Sequence, residues 1–141
     1  MQTSIYVATD VKSLKAGRSG HYGYLLQATK GGKTIGERME WQEGEGDTYG
    51  LLLRAIEEAA GRIKPSADCG ILIITDSQPV ADGIHNLHKW EKEGWKRSKG
   101  RTIKRKEEWK RIAEKLKGRQ IAALRQDISR ELERMKGERN V

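Results

Sequence analysis

ILIITDSQPVADGI, residues 71–84, is a short apolar run that stops at Thr-Asp and passes straight into a helical pattern. The stretch SIYVATD, residues 4–10, stops in the same way. Runs this short, rich in β-branched residues and bounded by turn signals, read as strands buried on both faces. Between them lies LLLRAIEEAAGRI (51–63), with Leu52, Ala55, Ile56, Ala59 and Ile63 at helical spacing and Pro65 just past its end. A strand joined to another strand through a helix implies parallel pairing with a right-handed crossover. Parallel neighbours end at the same edge of the sheet, and ligand sites in open α/β sheets lie outside those carboxyl ends. Asp10 and Asp76 are therefore expected side by side on one rim.

The remaining elements build around this pair. HYGYLLQAT (21–29) and KTIGERMEW (33–41) are strands joined by a tight turn at KGG (30–32), an antiparallel hairpin. QEGEGDTYG is a polar loop in which Asp47 or Thr48 suits a helix N-cap. SQPVADGIHNL opens a helix with Pro79 in its first turn, where the missing N–H is not needed. KEEWKRIAEKLK (106–117) reads as a helix, RQIAALRQ (119–126) as a strand, and DISRELERMK (127–136) as a last helix. The order is β-β-β-α-β-α-α-β-α, an α/β chain.

The chain has 141 residues, enough for one domain, so 1–141 is expected to be a single unit. No apolar run approaches the roughly 18 residues of a membrane span. The beginning MQTSIYVATD lacks the build of a signal peptide, and the lone Cys69 forms no intrachain disulfide; both suit the cytoplasm, and a monomer is expected. Net charge is +8 and unevenly spread. Residues 1–88 hold 9 Lys/Arg against 11 Asp/Glu, whereas 89–111 hold 11 against 4. A local cationic patch of this density is the footprint of a polyanion binder.

Two carboxylates held close repel unless a cation intervenes. Mg²⁺ meets that need with few carboxylates, waters and substrate phosphate oxygens. A pair of such ions about 3.5–4 Å apart can activate water and stabilise a leaving oxygen in phosphodiester cleavage. The bland alternative is that each Asp merely caps the turn that follows it.

ITDSQPVADGI followed by HKWEKEGWKRSKGRTIKRKEEWKRI resembles the type 1 ribonuclease H family, with its strand-to-helix TDSQ junction and basic, tryptophan-bearing protrusion. YVATD and GHYGYLL resemble the family's first two strands, and the likeness runs from about residue 4 to 136. It implies a five-stranded mixed sheet flanked by helices, with the protrusion at about 87–111. It also implies hydrolysis of the RNA strand of RNA/DNA hybrids by four acidic residues around two Mg²⁺ or Mn²⁺ ions. Asp10 and Asp76 match two of the four, and SRELERM (129–135) puts Glu133 in the place of the last, with Asp127 an alternative. The family's remaining acid, a Glu in the first helix, falls on Leu51 beside Gly50. Asp47, four residues earlier, is the candidate to compensate, and Glu45 a second. The histidine-bearing loop of many members, before the last helix, is missing.

Trp90, Trp95 and Trp109 are interleaved with the cationic residues Lys89, Lys92, Lys96, Arg97, Lys99, Arg101, Lys104, Arg105 and Lys106. Those cations are expected to contact phosphates, with Trp95 as a stacking candidate and Trp90 and Trp109 as packing residues. Thr48 resembles the family's phosphate-contacting position, and Ser77 and Gln78 stand where a ribose 2′-hydroxyl would be sensed. His85 and His88 lack a third metal ligand nearby. Two functions follow: a metal-dependent endoribonuclease, or, because Leu51 replaces the acid, a module that grips hybrid or duplex without cutting.

Overall fold

The computed structural model describes residues 2–12, 19–64, 70–96 and 103–139, with side chains to 137. Five strands, β1 (Gln2–Thr9), β2 (Ser19–Lys30), β3 (Lys33–Glu45), β4 (Gly70–Thr75) and β5 (Ile121–Arg125), form one sheet in the order β3-β2-β1-β4-β5. Four helices complete the chain: α1 (Thr48–Ala60), α2 (Gln78–Lys92), α3 (Lys106–Lys115) and α4 (Ser129–Arg139). Each element expected from the sequence is present; β2 extends beyond 21–29 at both ends, and β3 beyond 33–41 at its C-terminal end.

β1 pairs antiparallel with β2 and parallel with β4, and β4 pairs parallel with β5, so the sheet is mixed. The β2–β3 turn is made by Gly31 and Gly32, both at positive φ, the conformation a two-residue hairpin with right-twisted strands demands. Side chains alternate between the faces with the strand period of two. Ile5, Val7, Tyr22, Tyr24, Ile71 and Ile73 meet the apolar stripes of α1, α2 and α3. On the opposite face Ala8, Leu25 and Ile74 meet Met135 of α4 and Ile128 just before that helix.

The tryptophans anchor the base of the basic segment. Trp109 is fully buried, its indole N–H donates to the Tyr49 hydroxyl at 2.8 Å, and Trp90 meets it edge-on at 5.7 Å. Packing is thus the role of Trp90 and Trp109, as expected. Trp95 lies 6.3 Å from Trp90 and packs against the same core. Arg97, Lys99 and Arg101 lie outside the described residues. No helix among the described residues is long and apolar enough to cross a membrane.

Gly83 admits the Trp109 ring. A Cβ there would come within 2.1 Å of the indole, closer than packed carbons approach. Gly83→Ala is expected to force Trp109 from its seat and destabilise the fold by about 1–3 kcal/mol, the usual cost of overpacking. Urea unfolding followed by tryptophan fluorescence measures it, and an unchanged midpoint would contradict this packing.

Candidate metal and nucleic-acid site

The two Thr-Asp endings have a shared local cause. Thr9 Oγ1 accepts from the Val11 amide at 3.1 Å, and Thr75 Oγ1 accepts from the Ser77 amide at 3.0 Å. Both threonines are buried, so each hydroxyl supplies the hydrogen bond that the strand ladder no longer offers at its end. The residue after each threonine is then presented at the rim. Asp10 and Asp76 are both exposed there.

The β1–β4 register ends at Tyr6 opposite Ile74, so Asp10 and Asp76 stand at neighbouring strand ends, staggered by two residues. At a rise of about 3.3 Å per residue the stagger is roughly 7 Å along the strands. Asp10 lies within electrostatic reach of Lys136 on α4, the helix that covers the face of Ala8 and Ile74. Asp10 is the more constrained. Its Oδ1 accepts from the His21 amide at 2.6 Å, and its Oδ2 lies 3.0 Å from His21 Nδ1. Partial burial alone would raise the Asp10 pKa, but the bonds from His21 and the charge of nearby Lys136 outweigh it and hold the carboxyl below its ordinary range.

Glu133 lies on the exposed side of α4, with Lys136 Nζ 3.9 Å from its Oε1. Lys136 thus links it electrostatically to the Asp10 corner. The acid turned inward on α4 is Glu131, one of whose oxygens is buried without a hydrogen-bond partner. Asp127 accepts from the amide and hydroxyl of Ser129 and so starts the helix.

Asp47 is 5% exposed and caps α1 through the Gly50 amide at 2.9 Å. The same oxygen takes a hydrogen bond from the Arg105 guanidinium. Burial pushes its pKa up, but Arg105 and the Gly50 N–H overcome this and keep the carboxyl below the usual range. Leu51, where the resemblance expects an acid, is 2% exposed and part of the core beneath α1. Glu45 is exposed at the end of β3 and lines a shallow depression with His21 and Glu43. Among the described residues, no three His, Cys, Asp or Glu side chains converge on one point as a metal cluster would. The structure thus places Asp10 and Asp76 at neighbouring strand ends and leaves Asp47 with Arg105.

The cationic residues divide. Lys89 and Lys92 occupy the last turn of α2, and Lys106 opens α3. Lys89, Lys96 and Lys104 line a groove between α1 and α2 together with Tyr49, Asn86 and Trp90, and Lys104 Nζ sits 5.3 Å from the Tyr49 ring. Arg105 is turned to Asp47 instead. The Thr48 hydroxyl donates to the Val11 carbonyl, tying α1 to the end of β1. Ser77 caps α2 through the Val80 amide, and Gln78 donates to Asp82. The two histidines of α2 have different neighbours: one ring nitrogen of His85 is 3.3 Å from the Ala123 carbonyl, and His88 stands beside Glu91.

The RNase H family model matches residues 2–124. A Ribonuclease H of Jannaschia sp. (strain CCS1) is 37% identical over 99 residues, 67% of this chain but 60% of that protein's length. The solution structure of the PFV RNase H domain superposes with a TM-score of 0.66 at 20% identity, covering 96% of this chain and 88% of that one. LC11-RNase H1, solved in complex with RNA/DNA hybrid, gives 0.63 at 13% identity over 96% and 92%.

The Asp47–Arg105 pair makes a prediction of its own. Because its folded-state pKa is lowered, Asp47 contributes stability that is complete above the unfolded value near 4 and is lost as pH falls through the folded pKa. Asp47→Asn keeps a capping oxygen but removes the charge, and should cost about 1–3 kcal/mol at pH 7. The deficit should shrink as pH falls below about 4. Denaturant titrations at pH 7 and pH 3 report both, and equal deficits at the two pH values would contradict the assignment.

Proposed function

The chain belongs to the RNase H family, and from that premise we propose that it is a divalent-metal-dependent endoribonuclease acting on the RNA strand of RNA/DNA hybrids. The observation that carries the reading is the placing of two exposed carboxylates, Asp10 and Asp76, at the ends of neighbouring parallel strands. Mg²⁺ or Mn²⁺ fits such a donor set, since these ions need only one or two protein carboxylates when waters and phosphate oxygens fill the other positions. Asp10 and Asp76 would be the holding residues, with Glu133 approaching from α4. When bound, such ions supply a Lewis acid and a water made nucleophilic near neutral pH, one ion or two according to how many carboxylates engage.

The chain's own side chains do the rest. Lys89, Lys96 and Lys104 would hold phosphates along the groove beside α2, with Lys92 in the last turn of that helix, fixing the duplex in register over the rim. Tyr49 and Trp90 give that groove an aromatic wall. Ser77 and Gln78, next to Asp76, stand where a 2′-hydroxyl would pass. RNA/DNA hybrid as substrate is supported by the family and by the hybrid-bound state of a protein with the same fold.

A second reading has its own support. With Leu51 buried and Asp47 held by Arg105, neither position at the head of α1 offers a free carboxylate, which favours a module that grips hybrid without cutting it. Labelled RNA/DNA hybrid incubated with Mg²⁺ or Mn²⁺ separates the two. Cleavage by the unaltered chain should fall at least about a hundredfold in Asp76→Asn, the loss of several kcal/mol of metal-dependent stabilisation. Hybrid binding without any metal-dependent cleavage leaves the binding module. Binding should weaken as salt rises, and Lys89→Ala and Lys104→Ala should each reduce the slope of log K against log salt by about 1. An unchanged slope in both would remove the groove from the interface.

A further inference from the structure

We infer that His21 is a positioning residue for Asp10, an outer-shell partner that holds its carboxylate oriented for a divalent ion; this rests on the reading above. Asp10 lies one residue past the last β1–β2 pair, where a side chain would ordinarily sweep several rotamers. Here it does not. The backbone of residue 21 closes on Asp10 in both directions, the Asp10 amide donating to the His21 carbonyl at 3.1 Å and the His21 amide donating to Oδ1 at 2.6 Å. His21 Nδ1 meets the other oxygen at 3.0 Å. The His21 ring is itself fixed, stacked on Trp41 with centroids 5.9 Å apart and planes 18° from parallel.

The chain is shaped to allow this. A Cβ at position 20 would fall 2.6 Å from Asp10 Oδ1 and 2.4 Å from the Val11 side chain, so a glycine leaves the room in which the carboxylate lies. The Thr9 hydroxyl donates to the His21 carbonyl at 2.7 Å, securing the same corner from the other side. An ionised carboxylate only accepts hydrogen bonds, so Nδ1 is the protonated ring nitrogen at this contact. Each carboxylate oxygen offers about two lone-pair sites. An oxygen engaged by an N–H therefore retains the capacity to bind a cation, with its direction already set. Outer-shell donors of this kind orient metal ligands, and their removal typically weakens metal affinity about 10–100-fold.

The test measures Mn²⁺ affinity directly by isothermal titration calorimetry on the full chain without nucleic acid. The variants separate hydrogen bonding from packing. His21→Phe keeps a ring over Trp41 and loses the donor, whereas His21→Asn restores an N–H at nearly the same reach. His21→Phe and His21→Ala should each weaken Mn²⁺ binding by about 10–100-fold, and His21→Asn should recover most of the loss. Asp10→Asn supplies the reference for binding at this corner. Unaltered or tighter Mn²⁺ binding in His21→Phe, with binding abolished in Asp10→Asn, overturns the inference and leaves the metal site standing. Equal loss in all three His21 variants also overturns it, since that makes the ring's packing the cause. No Asp10-dependent Mn²⁺ binding in the unaltered chain overturns the inference and the metal reading together.

Discussion

The parallel ladder between β1 and β4 is the constraint on which the rest of the molecule depends. Its register, Gln2 opposite Gly70 through Tyr6 opposite Ile74, carries two strands to the same rim. A slip of β1 by one residue would turn Ile5 and Val7 from the α1 face to the α4 face and reverse Asp10 with them, while Asp76 on β4 stayed where it is. Burial resists such a slip, because Ile5, Val7 and Ile73 are fully enclosed on one side and Ala8 and Ile74 nearly so on the other. Core packing, a non-directional force, thereby sets a directional feature of the rim. The threonine hydroxyls then finish each strand in the same way, so that neighbouring ends present like residues.

Around that rim, charge is arranged by two different devices. Asp10 is met by local donors on β2, and Asp47 by a distant one, Arg105, at the start of α3. Arg105 sits in the left-handed region at φ 61 and serves as the N-cap residue of α3 without a side-chain capping bond. A non-glycine residue in that region carries a cost of order 1–3 kcal/mol, which the surroundings must offset. Its ion pair with a buried carboxylate is the compensation visible in the structure. The pair also couples the base of the cationic segment to the first turn of α1.

Much of this was legible in the sequence, and the reasons differ by element. The strands and helices were readable because their periodicities are strong: ILIIT admits no amphipathic helix, and Leu52, Ala55, Ile56 and Ala59 admit no strand. Asp10 and Asp76 were readable because chain order fixes parallel pairing and parallel pairing fixes the rim. Trp90 and Trp109 could be assigned to packing, although nothing local in the sequence revealed that Gly83 would receive the ring. Two features escaped. Arg105 reads as one cation among many, and only the tertiary meeting of α3 with α1 singles it out. His21 left a fainter signal: the hairpin register opposes Thr9 with Tyr22, which sets residue 21 against Asp10. Counting across that pairing would have exposed it.

The fate of position 51 shows how core and site compete for the same helix. Leu51 points from α1 into the core, where a Cβ at Gly44 would come within 3.0 Å of its side chain. A carboxylate in that enclosed setting would be driven toward its neutral form unless a cation reached it. The neighbouring Gly50 has no side chain at all, and the space a Cβ would need is taken by the Asp47 carboxylate and the Arg105 guanidinium. Substituting either position in isolation therefore disturbs the core or the ion pair before it can add a ligand. An acid at the head of α1 requires Arg105 to be placed elsewhere, which makes the three positions a coupled set. The carboxylates left at the rim are those on strand ends and on α4, and any ion held there must draw more of its coordination from water and phosphate than from protein.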